Sequence, residues 1–433
     1  MNSFEWQGLQ ARGCDSTWLA QALQAARADT LQTFACYAAA LPATASKPAL
    51  RVPLRPEFNL PLWELGHIGW FQTIWLARNP QWRLGVRADP KAARCPSQPE
   101  WLGALDPADA LYDSSAVPHA SRWQLQLPNA EQSQAELSAQ LTQTLALLAQ
   151  AEVGAAQQYF FRLALLHEDM HHEAALYMAQ SLGVPVTDAR WQPQRLTAER
   201  DAAELAATEW RLGQVLGQDP GHGFAFDNEL GRCESSLPAS AIDLRVVSWA
   251  DYLPFVEAGG YAQRQWWSAA GWEFLQHGLQ GGQPQQAPRY LRRQLAASQA
   301  WQVQRWGRWQ TLDTALAACH LSAFEAEAWC AWSGRRLPSE AEWERAAQTL
   351  GPDFHWGQVW EWTSSDFLPF DGFEPHPYLD YSAPWFGQRR VLRGASFMTQ
   401  PRMHHLHYRN FFAPERTDLA GGFRSCSRQP AST

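Results

Sequence analysis

The stretch Leu163–Gln180 reads LALLHEDMHHEAALYMAQ, and its reading decides how the first half of the chain is built. It contains His-Glu-x-x-His as His167, Glu168 and His171. In zinc proteases that pattern puts two metal-binding imidazoles and a carboxylate base on one helix. His167 and His171 are four apart, so both rings leave the same helix face toward one point. Glu173 lies about 200° round the helix from His171, so it should not share their metal. His172 also points elsewhere. Leu163, Leu166, Met170, Ala174 and Met178 surround the pair, which predicts burial. Two buried imidazoles need hydrogen bonds or a metal.

The surrounding sequence predicts a helix from about Ala155 to Leu182. Three more helical segments precede it. One runs from about Thr17 to Ala40, followed by a proline-punctuated loop from Leu41 to Pro56. FNLPLWELGHIGWFQTIWLARN follows, with Trp63, His67, Trp70, Phe71, Ile74 and Trp75 on one helical face. Asn59 is its expected cap, with Pro61 in the first turn. Residues 80–128 read as loop. A third helix starts near Asn129 with Leu137, Leu141, Leu145 and Leu148 as its stripe. Four such helices suggest a bundle, whose core is where facing helices build metal sites. His67, in the middle of an aromatic face, is then the natural third ligand. The longer zinc-protease pattern fails, because Ala174 and Tyr177 stand where it needs Gly and His. Three histidines suit zinc, iron or copper equally well.

From about Gly221 the character changes to short β-branched runs, Gly, Trp and turns. Leu279–Arg289 reads as a surface loop, and SAFEAEAWCAWSG as a helix ended by Gly334. A length of 433 residues suits two or three domains. The net charge of -8, with no basic stretch, argues against nucleic acid. No apolar run approaches the roughly 18 residues of a membrane span. The start, MNSFEWQGLQARGCDSTW, lacks a signal-peptide layout. The seven dispersed cysteines, without Cys-x-x-Cys, read as reduced thiols of a cytoplasmic protein. Some of the 24 Trp are expected to line a pocket for a cation or a sugar face.

LWELGHIGWF and HEDMHHE together resemble the iron-binding helical domain of the ergothioneine- and ovothiol-type sulfoxide synthases. GFAFDNE (Gly223–Glu229), Ser322–Ala347, VWEWTSSDF (Val359–Phe367), VLRGASF (Val391–Phe397), HYRNFFAPER (His407–Arg416) and GGFRS (Gly421–Ser425) resemble their formylglycine-generating-enzyme-like domain. The resemblance implies an α+β multidomain chain. A DinB-like four-helix bundle would span 1–190 and a linker 191–220. A C-type-lectin-like, formylglycine-generating-enzyme-like domain would span 221–433. It implies Fe(II) held by His67, His167 and His171. It also implies hercynine and O2 as substrates, with a sulfur or selenium donor joined to C2 of the hercynine imidazole. No redox cysteine pair is present, so the second domain is expected to be a pocket wall, with Cys319 and Cys330 in its scaffold.

Several positions depart from the ergothioneine members, whose donor is γ-glutamylcysteine or cysteine. Phe412 stands where they carry an Asp, and His119 replaces the first Arg of an Arg-x-x-Arg pair whose second is Arg122. Met170 replaces a Gln between the helix histidines. Phe373 takes the place of a proton-donating Tyr, with Tyr378 and Tyr381 as possible substitutes. A site losing these charges suits a neutral ligand. The expected branch is therefore selenoneine synthase, with a selenosugar as donor; the thiol donor is the alternative, and a zinc hydrolase with Glu168 as base the third reading. Asn410 and Phe411 are expected at the hercynine end, and Arg416 and Arg122 at the co-substrate. Trp360 and Trp362 are expected in the core, and Glu361 and Arg393 in scaffold ion pairs.

Overall fold

Asn129 holds the backbone N–H of Gln132, and the Gln132 side chain accepts from the Asn129 N–H. This reciprocal cap satisfies two donors that a helix start leaves open. The computed structural model describes residues 3–44, 48–152, 154–215, 223–278, 283–294 and 300–427. Its first part is helical: α1 (Ser3–Gly13), α2 (Ser16–Ala40), α3 (Pro61–Trp75), α4 (Pro107–Tyr112), α5 (Ala130–Leu148) and α6 (Ala155–Leu182). Four of them pack side by side, α2 on α5 and α6, and α3 on α5 and α6. α6 ends at Gly183, whose φ of 71° closes the last turn. No helix among the described residues is long and apolar enough to cross a membrane.

Three local expectations are corrected. Asn59 does not cap α3; Leu60 holds that position without a side-chain bond, and Asn59 Oδ1 accepts from Arg122 instead, at 2.8 Å. The 80–128 segment contains α4 and three 3-10 turns rather than loop alone. α1 was not expected, because its sequence carries no apolar stripe. Tertiary contact holds it in place. Arg12 forks onto Glu229, with one arm at 2.7 Å, and Gly8 lies so close to the His404 carbonyl that no Cβ would fit.

The strands begin earlier than expected. β1 (Ala202–Leu205) and β2 (Thr208–Leu212) fall inside the expected 191–220 linker, of which 216–220 lie outside the described residues. β2 pairs antiparallel with β3 (Cys233–Leu237), and β1 pairs antiparallel with β4 (Ser240–Asp243). β5 (Leu291–Arg293), β6 (Trp301–Arg305) and β7 (Arg308–Thr311) form an antiparallel meander. β8 (Arg335–Arg336), β9 (Val359–Asp366), β10 (Arg390–Ala395), β11 (Asn410–Phe412), β12 (Gly421–Gly422) and β13 (Cys426–Ser427) complete two four-stranded sheets, ordered β1-β4-β13-β8 and β11-β10-β9-β12. Helices α7 (Trp249–Glu257), α8 (Ala269–His277), α9 (Ala323–Trp332) and α10 (Glu340–Leu350) accompany them. Of the expected 279–289 surface loop, 279–282 lie outside the described residues; Gln285 is buried and donates to Glu325 at 2.9 Å.

Trp360 and Trp362 are core residues, as expected. Glu361 and Arg393 face each other across β9 and β10, yet pair elsewhere. Glu361 takes Arg424 at 2.8 Å and Arg393 takes Glu344 at 2.6 Å. One apolar core runs without a break from the α2 residue Leu19 to Phe423. Polar contacts reinforce it where α6 meets the strand-rich part. Arg402 forks onto buried Asp169 with two 2.6 Å bonds. Trp360 Nε1, Ser396 Oγ and Thr399 Oγ1 all donate to Glu173 Oε1, at 2.7, 2.8 and 2.8 Å. Near the other end of α6, Tyr159 Oη meets His376 Nδ1 at 3.0 Å.

Arg402→Met would leave Asp169 buried without its cation. Its urea midpoint should report a loss of about 3–5 kcal/mol, the usual cost of breaking a buried pair from one side. Burial holds the His376 imidazole down to about 4, against about 6.5 in an unfolded chain. Its folded state prefers the neutral ring. The stability it contributes is whole above the unfolded value and is lost as pH falls toward the folded one. Urea midpoints taken from neutral to acid pH should show that loss, up to about 3 kcal/mol from this group. His376→Gln should flatten that part of the slope.

Candidate metal centre and cleft

His67 on α3 and His167 and His171 on α6 each bring a ring nitrogen within 4.8 Å of the others. The helix spacing aims the α6 pair, and packing of α3 on α6 supplies the third ring. His67 Nδ1 lies 2.8 Å from the Tyr112 carbonyl. A carbonyl only accepts, so Nδ1 carries the proton and Nε2 keeps its lone pair. His171 Nδ1 lies 2.6 Å from Glu64 Oε2, which likewise leaves Nε2 free. His167 stacks flat on Phe71, with centroids 3.5 Å apart, and neither of its nitrogens has a hydrogen-bond partner. At 3% exposure an orphaned imidazole is costly. A metal bound by its lone pair would remove that cost, so the three residues fit one.

The electrostatics agree. Burial pushes His67 down to about 3, with His171 adding to the effect. Burial also pushes His167 well below the ordinary histidine value. Both are therefore neutral at physiological pH, the state that ligates. Burial alone would raise the Glu64 carboxyl, but the His171 imidazole outweighs it and the net shift is downward. Glu64 thus stays a carboxylate that orients the His171 ring.

Glu168 is not available as a base. It is buried on the other side of α6, where Arg27 grips it through Nε at 2.8 Å and Nη2 at 3.2 Å. His172 also turns away, to Thr33 Oγ1 at 3.0 Å.

His167 and His171 form one wall of a cleft of about 610 Å³. Arg122, Met170, Tyr378, Tyr381, Asn410, Phe411, Phe412 and Arg416 line the same cleft. Two expected residues do not. His119 Nε2 is bonded to the Phe58 carbonyl at 2.7 Å and its ring packs on Trp123. Phe373 packs edge-on against Phe386 instead. His67 sits behind the wall, 2% exposed and stacked on Trp63.

The two arginines differ. Arg416 forks onto Asp418 at 2.6 and 2.5 Å, and its guanidinium lies over the Phe412 ring. Arg122 makes no ion pair among the described residues. It lies over Trp63, donates to Asn59 and leaves its Nε unpartnered. The cleft also contains residues that sequence reasoning missed: Tyr408, Ser114, Ser115, Asp380, Trp385 and Arg389. Most stand on loops, where no periodicity marks them. Glu64 itself carried a signal, since it lies three residues before His67 on the same helix.

Residues 213–358 and 350–429, together half of the chain, match the sulfatase-modifying factor enzyme 1-like domain. The chain belongs to this family. The expected formylglycine-generating-enzyme-like part is thereby found. Burial pushes Cys319 up to about 12 and Cys330 well above the ordinary thiol value, so neither scaffold thiol ionises readily. Over nearly its whole length the chain is also similar to the hercynine oxygenase of Mycolicibacterium thermoresistibile, at 28% identity over 87% of this chain and 89% of that one. The hercynine oxygenase of Mycobacterium tuberculosis is 29% identical over 84% and 89%. Together with the matched domain, these relatives support the resemblance to ergothioneine-type sulfoxide synthases. PvdO from Pseudomonas aeruginosa aligns with a TM-score of 0.33 and 14% identity over 55% of this chain and 99% of that one.

Glu64→Gln would keep the shape of the His171 contact but lose its charge. Metal affinity, measured by competition with a chelator, should fall about 10–100-fold, with the circular dichroism spectrum unchanged.

Proposed function

We propose that this protein is an iron(II)- and O2-dependent oxygenase that joins a sulfur or selenium donor to C2 of the hercynine imidazole. One observation carries the reading: three imidazoles, two of them held neutral by burial, converge at the wall of one cleft, and the His167 nitrogens have no other partner. The named relatives add the substrate, hercynine. Bound by the three histidines, iron would supply activation of O2 and open positions for substrate.

The chain's own residues supply binding and proton control. Tyr378 lies with its ring 6.2 Å from that of His167. Burial raises its phenol, which keeps it protonated, and its hydroxyl has no partner among the described residues. It is the proton donor in this reading, with Tyr381 behind it at a ring distance of 6.0 Å. Tyr381, Tyr408 and Trp385 offer π faces to a trimethylammonium group. Arg122, which makes no ion pair among the described residues, suits the substrate carboxylate. Asn410 and Phe411 line the same cleft, and Phe71 and Trp63 keep water from the imidazoles. The four packed helices act here as a DinB-like iron-binding unit, and the C-terminal family domain as the opposite wall. The free state of all seven cysteines is consistent with a reducing cytoplasm.

Two donors remain, each with its own support. The hercynine oxygenase relatives favour the ergothioneine-type thiol, γ-glutamylcysteine or cysteine. Phe412 and the pairing of Arg416 with Asp418 favour an uncharged donor such as a selenosugar, because an arginine already neutralised offers little to a second carboxylate. The zinc-hydrolase reading loses its base, since Glu168 is engaged by Arg27.

A competition assay separates the readings. Iron(II)-loaded protein prepared without air receives hercynine, O2, a selenosugar and γ-glutamylcysteine together, and mass spectrometry counts the adducts. A hercynine adduct of either chalcogen supports the oxygenase; none, with full iron loading, sinks it. His67→Ala, His167→Ala and His171→Ala should each abolish iron binding and turnover. Phe412→Asp should move the product ratio toward sulfur.

A further inference from the structure

A second, smaller void lies on the other side of His171, between α2, α3 and α6. Its volume is about 30 Å³, above the roughly 10–15 Å³ that one water needs. Phe34, Leu65, Ile68, Ala175 and Met178 supply its apolar wall, and His171 and Glu64 stand at one end. The polar groups around it are turned elsewhere. Glu64 faces His171 and Asn59. The Tyr37 hydroxyl donates to the Ala175 carbonyl, and His172 Nε2 meets Thr33. Thr30 Oγ1 and His172 Nδ1 have no partner, yet both are sealed from any water-sized space. A water in the void would therefore find fewer than the two to four partners it requires, and apolar cavities of this kind stay dry and take up apolar atoms.

We propose that this void is an internal site for a small apolar gas, dioxygen, which reaches the metal centre from the helical side rather than through the substrate cleft. The assignment of dioxygen rests on the function proposed above; the gas site itself rests on the cavity. His171 separates the two spaces, since it lines both. A large substrate pair filling the cleft would block the open route, and a separate reservoir would let O2 arrive after the cleft is occupied.

Xenon is the probe. Crystals of the full chain, pressurised with xenon, should show one xenon atom in contact with Ile68 and Met178. Ile68→Phe should fill the void and abolish that peak. The same variant should raise KM for O2 roughly tenfold, the low end of what a misfit in an apolar pocket costs. KM for hercynine and iron content should stay at the wild-type values. Ala175→Val, a smaller intrusion, should move KM for O2 the same way if Ile68→Phe fails to fold. An ordered water in the void bonded to Thr30 and His172, or no xenon there, overturns the gas site. A filled void with unchanged KM for O2 overturns the delivery of dioxygen. The xenon arm needs no turnover, so a missing xenon site with normal O2 consumption fails the cavity alone. A xenon site in a protein that consumes no O2 with hercynine fails the proposed function, and the dioxygen assignment with it.

Discussion

Asp169 and Glu173 sit four residues apart on the face of α6 opposite His167 and His171, and both are bonded to the C-terminal half. The same turn of helix thus presents imidazoles to one side and is gripped from the other. The grip is ionic and hydrogen-bonded: a guanidinium fork on Asp169 and three donors on one oxygen of Glu173. Buried charges of this kind add little net stability against an apolar alternative, but they are severe about geometry. A rotation of α6 by one residue, about 100°, would break all five bonds. It would also carry His167 and His171 away from His67. The arrangement of the site is fixed from behind.

Around the histidines the chain works by withholding charge. Burial makes His67 and His167 neutral, and among the described residues Glu64 is the one carboxylate bonded to an imidazole of the set. The acids of α6 are engaged elsewhere, Glu168 by Arg27, Asp169 by Arg402 and Glu173 by Trp360, Ser396 and Thr399. This explains why the His-Glu-x-x-His letters mislead. The Glu of that pattern is a base only when it faces the metal with the two histidines. Here it points to α2, into a cation that came from a helix 141 residues earlier.

Much of the helical half was legible because its elements obey local rules. Ala155–Leu182 and the helix beginning after Asn129 have periodic apolar faces, caps and a terminal glycine in their own sequence. The ligand pair was legible for the same reason, since spacing four on a helix fixes direction. His67 was legible only through its surroundings, as a polar residue in an aromatic face. α1 was not, because a weakly patterned segment folds onto whatever partner it meets, and its partner is Glu229, 217 residues away. β1 and β2 were read as linker for a similar reason. Four- and five-residue strands carry too few alternations to stand out, and pairing with β4 and β3 creates them.

The sequence by itself determined that two histidines share a helix face, that a third stands in an apolar one, and that the second half carries the blocks of a known domain. It could do so because helical periodicity and motif order are local properties. Only the tertiary structure decided which side chains share the cleft. It brought Phe412, Arg416 and Tyr378 to the imidazoles, kept His119 and Phe373 away, and added Tyr408 from a loop and Trp385 from a 3-10 turn. It also decided the charge states, because desolvation and ion pairing depend on neighbours distant in the chain. Spacing names the ligands; packing sets their protonation and what stands opposite them.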